Sequence, residues 1–287
     1  MAGYANPDAL VTTAWLADHL ADPSLRIVDV RFSLMGPLPD EYAAGHIPGA
    51  VFCNLFTDVC DPDAPVPCHV AGQARFEAAM SRLGIANQTH VIAYDQDFGP
   101  WAAHLWWALR YYGHDHVSIL DGGLGAWKAE SRPVDSGAVS VAASSFNAVT
   151  TPPLRASLQE VIQAQHTDDV IVVDALPGKI YRGEALMFPT HRAGHIPGAH
   201  NISAPSNIDR TTGHLLPADE LRRTWSRVGL KPGRRVITYC GAGDYGSFDL
   251  FALHLIGHDN GALYDGCWFE WGARQDLPVE AGAETTG

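Results

Sequence analysis

The heptapeptide AGHIPGA occupies residues 44–50, and the same seven letters return at residues 193–199. Other segments recur with it, at separations of 144 to 149 residues, so the repeating unit is a whole domain. The sequence therefore predicts two tandem copies of one domain. The further matching segments are LRIVDVR (25–31) with DVIVVDAL (169–176), THVIAYD (89–95) with RRVITYC (234–240), and GHDHVSILDGGLGAWKAE (113–130) with GHDNGALYDGCWFEWGAR (257–274).

The stretch between the copies is unlike either of them. Residues 130–153 are rich in Ser, Ala, Val and Pro and show little helical periodicity, which is typical of an extended linker. The chain has 287 residues, a length that suits two domains better than one. We place the first domain at residues 1–135, the linker at 136–151 and the second domain at 152–287.

Each copy alternates β-rich runs with helical runs. In the first copy, residues 26–30, 90–95 and 118–123 read as strands, and residues 72–85 and 99–114 as helices that end at glycine. Apolar strands that alternate with helices indicate a parallel sheet covered by helices. We predict the α/β class, with each domain a small parallel sheet flanked by helices.

Composition excludes several kinds of partner. The formal net charge of −13 disfavours nucleic acid and anionic membranes, which need a basic face. No run of eighteen apolar residues predicts a membrane span, and the N-terminus lacks the features of a secretory signal. Five cysteines, an odd and low number, favour a reducing compartment over a disulfide scaffold, so we expect a cytoplasmic protein.

A group of cysteines in the first copy was tested as a zinc site. Cys53, Cys60 and Cys68 lie close in sequence to His69. Their spacing is wider than the tight pairs of structural zinc sites, and a single histidine follows. We therefore expect buried or incidental thiols rather than a zinc site.

The strongest candidate for chemistry is Cys240. It follows the predicted central strand 235–239 and precedes a predicted helix at 246–258. Ligands collect at the carboxyl ends of strands in such sheets, and glycines let the loop turn its N–H groups inward to bind an anion. The helix N-terminus adds positive potential, which favours the nucleophilic thiolate. The alternative is a small buried hydrophobic residue; the aligned residue of the first copy is Asp95.

The two halves resemble rhodanese domains, and the whole chain resembles the two-domain thiosulfate/3-mercaptopyruvate sulfurtransferases. The resemblance rests on the doubled HIPGA, on RLGI (82–85), on the LDGG and YDGCWFEW segments, and on the six-residue loop at 240–245. The loop start CGAG is similar to the C-G-S-G of mercaptopyruvate-type enzymes. The thiosulfate-type loop, in contrast, has Arg and Lys after the cysteine.

This resemblance implies a catalytic second domain, an inactive first domain and an active site near their interface. The implied reaction has two steps and requires no metal or organic cofactor. The Cys240 thiolate takes the outer sulfur of a small anionic donor, 3-mercaptopyruvate or thiosulfate, and the resulting persulfide passes it to cyanide or a cellular thiol. The loop lacks a cation, so we expect thiosulfate to be a poor donor.

Two departures from the family pattern concern donor binding. The family's mercaptopyruvate enzymes use two arginines in the segment that corresponds to residues 174–184; the second matches Arg182, but Leu176 stands at the place of the first. Lys179 and His191 are candidates to compensate. A plain surface ion pair is the alternative role for Arg182.

The other departure lies in the loop, whose residues are Gly241, Ala242, Gly243, Asp244 and Tyr245. The last two replace a common Val-Thr. A carboxylate at position 244 would repel an anionic donor, unless Asp244 faces solvent or pairs with Arg182. Tyr245 could offer its hydroxyl.

The remaining candidates have weaker support. His46 is a candidate assistant in catalysis by resemblance, whereas we expect His195 to be structural. Trp268 and Asp265 are expected to wall the pocket, and Asp29 and Asp174 to hold loops through hydrogen bonds. Cys267 is a candidate redox-sensitive or resolving thiol, with a packed structural thiol as the alternative.

Two rival functions were considered. A phosphatase of the Cys-x5-Arg type is disfavoured, because Gly246 occupies the position of its arginine. A non-catalytic sulfur carrier or binding module stays open, since Leu176 and Asp244 would fit lost donor recognition.

Overall fold

The computed structural model describes residues 3–33, 35–66 and 68–282, which form two compact units. The N-terminal unit consists of Pro7–Thr151 and Asp209–Leu215. The C-terminal unit consists of residues 3–6, Pro152–Ile208 and residues 216–282.

The N-terminal unit is built on a five-stranded parallel sheet with the strand order β1-β7-β6-β2-β5. Strands β3 and β4 form a separate antiparallel pair. The strands are β1 (Leu10–Val11), β2 (Leu25–Asp29), β3 (Phe32–Ser33), β4 (Gly36–Pro37), β5 (Val51–Phe52), β6 (His90–Tyr94) and β7 (Val117–Leu120).

The C-terminal unit repeats this plan with a four-stranded parallel sheet in the order β11-β10-β8-β9. Its strands are β8 (Val170–Asp174), β9 (His200–Asn201), β10 (Arg235–Tyr239) and β11 (Gly261–Leu263). At the place of β1, this unit has an isolated parallel bridge from Arg155 to Leu263.

Helices flank both sheets. In the N-terminal unit they are α1 (Thr13–His19), α2 (Pro39–Ala44), α3 (Gln73–Arg82), α4 (Pro100–Tyr111) and α5 (Gly123–Ala129). In the C-terminal unit they are α6 (Leu158–Ala164), α7 (Gly178–Tyr181), α8 (Ala218–Ser226), α9 (Asp244–Leu255) and α10 (Cys267–Trp271). The predicted α/β fold with two repeated parallel sheets is confirmed.

Continuous apolar runs mark the buried strands, and a glycine follows the end of a helix, as the sequence predicted. The central strands β2, β6, β8 and β10 are buried over nearly their whole length, as continuous apolar runs in parallel sheets require. Helix α3 ends at Arg82, two residues before Gly84, which adopts a left-handed φ of 71°. That conformation closes a helix at little cost for glycine.

The segment at 136–151, predicted as a linker, has no helix and no strand. It runs along the N-terminal unit, where Phe146 is buried edge-on to Phe76 and the Ala148 N–H donates to Glu77. Among the described residues, no helix is long and apolar enough to cross a membrane, and no three His, Cys, Asp or Glu side chains converge as metal ligands.

The duplicated HIPGA turn is held in the same way in both units. The Ile47 N–H donates to the Tyr94 hydroxyl at 3.1 Å, and the Ile196 N–H donates to the Tyr239 hydroxyl at 3.0 Å. Each tyrosine is the last residue of a central strand, β6 or β10. In each unit, the repeated heptapeptide is therefore hydrogen-bonded to the end of the strand that precedes Asp95 or Cys240.

Candidate active site

Cys240 directly follows β10, a strand with β8 and β11 as hydrogen-bonded neighbours. Its side chain is fully buried. The next helix, α9, begins at Asp244, two residues earlier than the sequence predicted. The reason is that Gly243 takes a left-handed φ of 111° and its carbonyl already accepts the Ser247 N–H. Only the four residues from Cys240 to Gly243 therefore connect β10 to α9, with the positive end of α9 facing them.

The Cys240 Sγ atom contacts two groups of the C-terminal unit. The Gly243 N–H donates to the sulfur at 3.1 Å, and the thiol donates to Asp244 Oδ1 at 3.4 Å. The first contact favours a sulfur anion, and the second gives the thiol proton an acceptor. Both groups come from the turn that starts α9.

The main chain of Cys240 is fixed from the side of α10. The Cys240 N–H donates to Cys267 Sγ at 3.3 Å, and the Cys240 carbonyl accepts the Trp268 N–H at 2.8 Å. These bonds hold the residue in one position at the strand end, which a nucleophile needs.

Asp244 was expected to face solvent or to pair with Arg182. Instead, its carboxylate contacts the Cys240 thiol, and Arg182 pairs with Glu184. The side chain is half-buried, and burial raises its pKa above the ordinary value. The Cys240 thiol and the main-chain amides of Asp244 and Tyr245 act in the opposite direction, because they favour the charged carboxylate.

The two positions expected to bind the donor differ in what they contact. Leu176 is buried, and its N–H donates to Asp174 Oδ1 at 2.8 Å. Arg182 forms a two-pronged ion pair with Glu184, at 2.7 and 3.0 Å, with 39% of its side chain exposed. A donor carboxylate would have to compete with Glu184 for this guanidinium.

The N-terminal unit shows what an arginine at the position of Leu176 does. The corresponding Arg31 is buried and grips Asp29, with Nη2 2.6 Å from Oδ2. Asp174 has no such partner among the described residues. Burial raises the pKa of Asp174 to about 7, against the opposing effects of the Leu176 N–H and the Tyr239 hydroxyl.

Apolar side chains cover the loop, and the sequence did not indicate them. A Cβ placed on Gly241 would lie 2.7 Å from Met187 Cε, so Met187 covers this glycine closely. The Phe269 N–H donates to the Gly241 carbonyl, and the Phe269 ring meets Phe188 edge-on at 5.3 Å. Met187 and Phe188 were missed because their segment has no regular periodicity. His191 packs on the same two rings and contacts the Phe269 carbonyl through Nε2 at 3.0 Å.

The two HIPGA histidines share their contacts at Nδ1 and differ at Nε2. His46 and His195 are both fully buried, and each ring stacks on a tyrosine of its own unit, Tyr42 or Tyr181. Each Nδ1 atom contacts the carbonyl of that tyrosine, at 2.9 Å and 2.7 Å. The His195 Nε2 atom lies 3.9 Å from Glu280 Oε2, whereas the His46 Nε2 atom is buried without a hydrogen-bond partner among the described residues.

The other sequence candidates lie as follows. Trp268 is buried, with its indole N–H donating to the Arg192 carbonyl. Asp265 is buried and accepts a hydrogen bond from Arg155 at 2.9 Å. Tyr245 is half-buried in the first turn of α9, and Ala242 is half-buried in the loop.

Cys267 is a fully buried thiol in an unusual backbone conformation. Its φ of 52° nearly equals the 54° of Gly123, its counterpart in the N-terminal unit. Its Sγ donates to the Tyr264 carbonyl at 3.0 Å while it accepts the Cys240 N–H. A side chain in this left-handed region carries strain, so the position is a glycine position occupied by cysteine.

Comparison with known proteins agrees with this arrangement. The family model for the rhodanese-like domain matches residues 12–130 and again 157–274. The chain therefore belongs to the two-domain rhodanese family of sulfurtransferases. It is 36% identical over 271 residues to the 3-mercaptopyruvate sulfurtransferase of Escherichia coli K12, covering 93% of this chain and 95% of that protein.

Two further relatives extend the comparison. The sulfur carrier protein TtuD of Thermus thermophilus is 33% identical, covering 98% of this chain and 100% of the relative. The crystal structure of SseA from Escherichia coli, described as a 3-mercaptopyruvate sulfotransferase, superposes with a TM-score of 0.81 at 32% identity. It covers 91% of this chain and 98% of the other.

Proposed function

We propose that the protein transfers sulfur from 3-mercaptopyruvate, through a persulfide on Cys240, to a thiol or cyanide acceptor. The observation that carries this proposal is the Gly243 N–H, which donates to Cys240 Sγ at 3.1 Å at the start of α9. A sulfur anion at this point is stabilised both by the amide and by the helix N-terminus.

The choice of donor is supported by the loop and its surroundings. The loop sequence CGAG resembles the mercaptopyruvate type, and the E. coli relative carries that name. Met187, Phe188 and Phe269 surround the loop with apolar surface, and the loop holds a carboxyl rather than a cation. A dianion such as thiosulfate is disfavoured by both features.

Arg182 is the residue we assign to the donor carboxylate, because a guanidinium binds a carboxylate through two parallel hydrogen bonds. Glu184 holds it in this way in the structure. The donor carboxylate then replaces Glu184 on binding.

A non-catalytic sulfur carrier is the second candidate. The observations in its favour are the missing arginine at Leu176 and the engagement of Arg182 by Glu184. One relative also bears the name of a sulfur carrier.

A cyanide-dependent thiocyanate assay separates the two candidates. The enzyme turns over 3-mercaptopyruvate with a higher kcat/KM than thiosulfate. A carrier turns over neither donor and accepts sulfur from a persulfide on another protein. Turnover of thiosulfate that exceeds turnover of 3-mercaptopyruvate contradicts the donor assignment.

A further inference from the structure

The Asp244 carboxyl group lies against the sulfur of Cys240, and the thiol donates to Oδ1 with Sγ 3.4 Å away. Asp244 opens α9, directly after the glycine whose N–H binds the same sulfur. In the N-terminal unit, the residue that follows the corresponding Gly99 is Pro100. The carboxyl group at this position is therefore particular to the loop that has the thiol.

The surroundings of Asp244 suit a group that exchanges a proton with the Cys240 thiol. Burial raises its pKa, and Cys240 is the one titratable side chain found to act on it in the described chain. The elements packed against α9 bring no competing charge to it: β10 ends in Tyr239, whose hydroxyl is bound by Ile196, and β11 and residues 204–207 hold no titratable group. The charges of α8 pair with one another as Asp219 with Arg222 and Glu220 with Arg223.

We propose that Asp244 is a catalytic residue that accepts the proton of the Cys240 thiol and returns it to the carbon atom of the leaving pyruvate. This inference rests on the proposed function. The contact between Asp244 Oδ1 and the reacting sulfur is the observation that carries it.

The steps balance without any further reactant. The Asp244 carboxylate takes the proton from Cys240 Sγ, which leaves a thiolate and a carboxylic acid. The thiolate then attacks the sulfur of 3-mercaptopyruvate, so that the S–S bond forms and the C–S bond breaks. The electron pair of the C–S bond goes to carbon, and the resulting enolate takes the proton from Asp244. The products are the Cys240 persulfide, pyruvate and a carboxylate ready for another cycle.

Thiosulfate offers a built-in contrast. Its leaving group is sulfite, which accepts the electron pair on sulfur and needs no proton on carbon. With thiosulfate, the only role of Asp244 is therefore to accept the thiol proton. At high pH the thiol loses this proton without Asp244. With 3-mercaptopyruvate, Asp244 must also donate a proton to the carbon atom of pyruvate, and high pH cannot supply that proton.

The test measures the rate of persulfide formation by quenching and intact-mass analysis, with each donor at pH 7.5 and pH 9.5. At pH 7.5, Asp244→Asn lowers the rate with 3-mercaptopyruvate by about 100-fold, the size typical of a lost acid–base group. At pH 9.5, about one unit above the ordinary cysteine pKa of about 8.5, the thiosulfate rate of the variant returns to within about 3-fold of wild type. The 3-mercaptopyruvate rate stays at least about 10-fold low.

Two further variants complete the design. Asp244→Ser suits a helix start and lacks the carboxyl group, so it should reproduce the Asn result and guards against a folding defect of one substitution. Asp219→Asn removes an exposed carboxylate from the first turn of α8 in the same unit and should leave every rate unchanged.

The outcomes are distinguishable. If wild type gains no sulfur from either donor, the proposed function fails. If wild type gains sulfur and both Asp244 variants keep the 3-mercaptopyruvate rate within about 3-fold at both pH values, the assignment of Asp244 as a proton carrier is overturned. Equal losses with both donors at pH 9.5 also overturn it, because they indicate a merely structural role.

Discussion

The same strand–loop–helix corner occurs twice in this protein, with opposite chemistry at its centre. In the N-terminal unit, the Asp95 carboxylate fills the corner and accepts four main-chain N–H bonds between 2.9 and 3.2 Å, from Asp97, Gly99, Trp101 and Ala102. In the C-terminal unit, a thiol occupies the strand end and accepts one N–H bond, from Gly243. Burial raises the pKa of the Asp95 carboxyl group to about 7, against the opposing effect of these N–H bonds. A carboxyl group thus completes one corner, and the other has a sulfur that can acquire a negative charge.

The comparison indicates how one scaffold can present either a carboxyl group or a thiol at the end of a strand. The main-chain anchors are equivalent: the Leu124 N–H binds the Asp95 carbonyl at 2.9 Å, and the Trp268 N–H binds the Cys240 carbonyl at 2.8 Å. The group presented to the amides differs, and so does the first residue of the following helix, Pro100 in α4 and Asp244 in α9. The Asp95 corner therefore shows how this scaffold surrounds a carboxyl group with main-chain N–H donors.

The largest expected effect is on the thiol itself. Cys240→Ser removes the nucleophile and should lower turnover by at least about 1000-fold, because a hydroxyl is a far weaker nucleophile at neutral pH. The thermal unfolding midpoint should change little, since the side chains are similar in size. The control is Cys53→Ser, a buried thiol of the N-terminal unit, which should keep its turnover. Turnover in Cys240→Ser would contradict the comparison.

Asp95→Ala should destabilise the N-terminal unit by about 3 kcal/mol, because four N–H groups, two in buried and two in partly buried hydrogen bonds, lose their acceptor. Urea unfolding measures the change. Asp97→Ala serves as the control, since it removes an exposed carboxylate from the same loop and should cost less than about 1 kcal/mol. Equal losses in the free energy of unfolding for the two variants would mean that the Asp95 carboxyl group does not stabilise this loop.

Leu176→Arg should create an ion pair between Asp174 and the new arginine, like the pair of Asp29 with Arg31 in the N-terminal unit. The folded-state pKa of Asp174, about 7, lies above its ordinary value of 3.8, so the folded protein holds an extra proton between those values. The stability that this proton provides is lost as pH rises through that window. An arginine at position 176 lowers the folded-state pKa and reduces this loss.

Urea unfolding at several pH values between about 4 and 7.5 measures the effect on Asp174. Leu176→Met is the control, because it keeps an apolar side chain of similar size. An unchanged pH slope in Leu176→Arg would show that the introduced guanidinium does not reach Asp174 as Arg31 reaches Asp29.

The smallest expected effect concerns Cys267. Cys267→Gly restores the glycine found at Gly123, which relieves a φ of 52° but removes the acceptor of the Cys240 N–H. These effects oppose each other, so stability should change by less than about 1 kcal/mol and turnover should be kept. Loss of turnover in this variant, with the fold intact, would show that the bond from the Cys240 N–H to Cys267 Sγ is needed to position Cys240, and that the Trp268 N–H bond alone is not enough.

The repeated motifs predicted most of the fold, because strand burial and helix-ending glycines are local signals. Cys240 was found from its place between β10 and α9. The roles of single side chains were harder to predict. The contact of Asp244 with Cys240 depends on α9 beginning two residues early, and the pair formed by Arg182 with Glu184 depends on side-chain positions. Met187 reaches Gly241 from an irregular segment, so no periodic pattern could indicate it.

Intact-mass measurement after exposure to 3-mercaptopyruvate tests the central claim most directly. The account predicts a gain of one sulfur atom, about 32 Da, that peptide mapping localises to Cys240, that a thiol or cyanide removes, and that Cys240→Ser does not show. No gain in wild type, or a gain that persists in Cys240→Ser, would contradict the account.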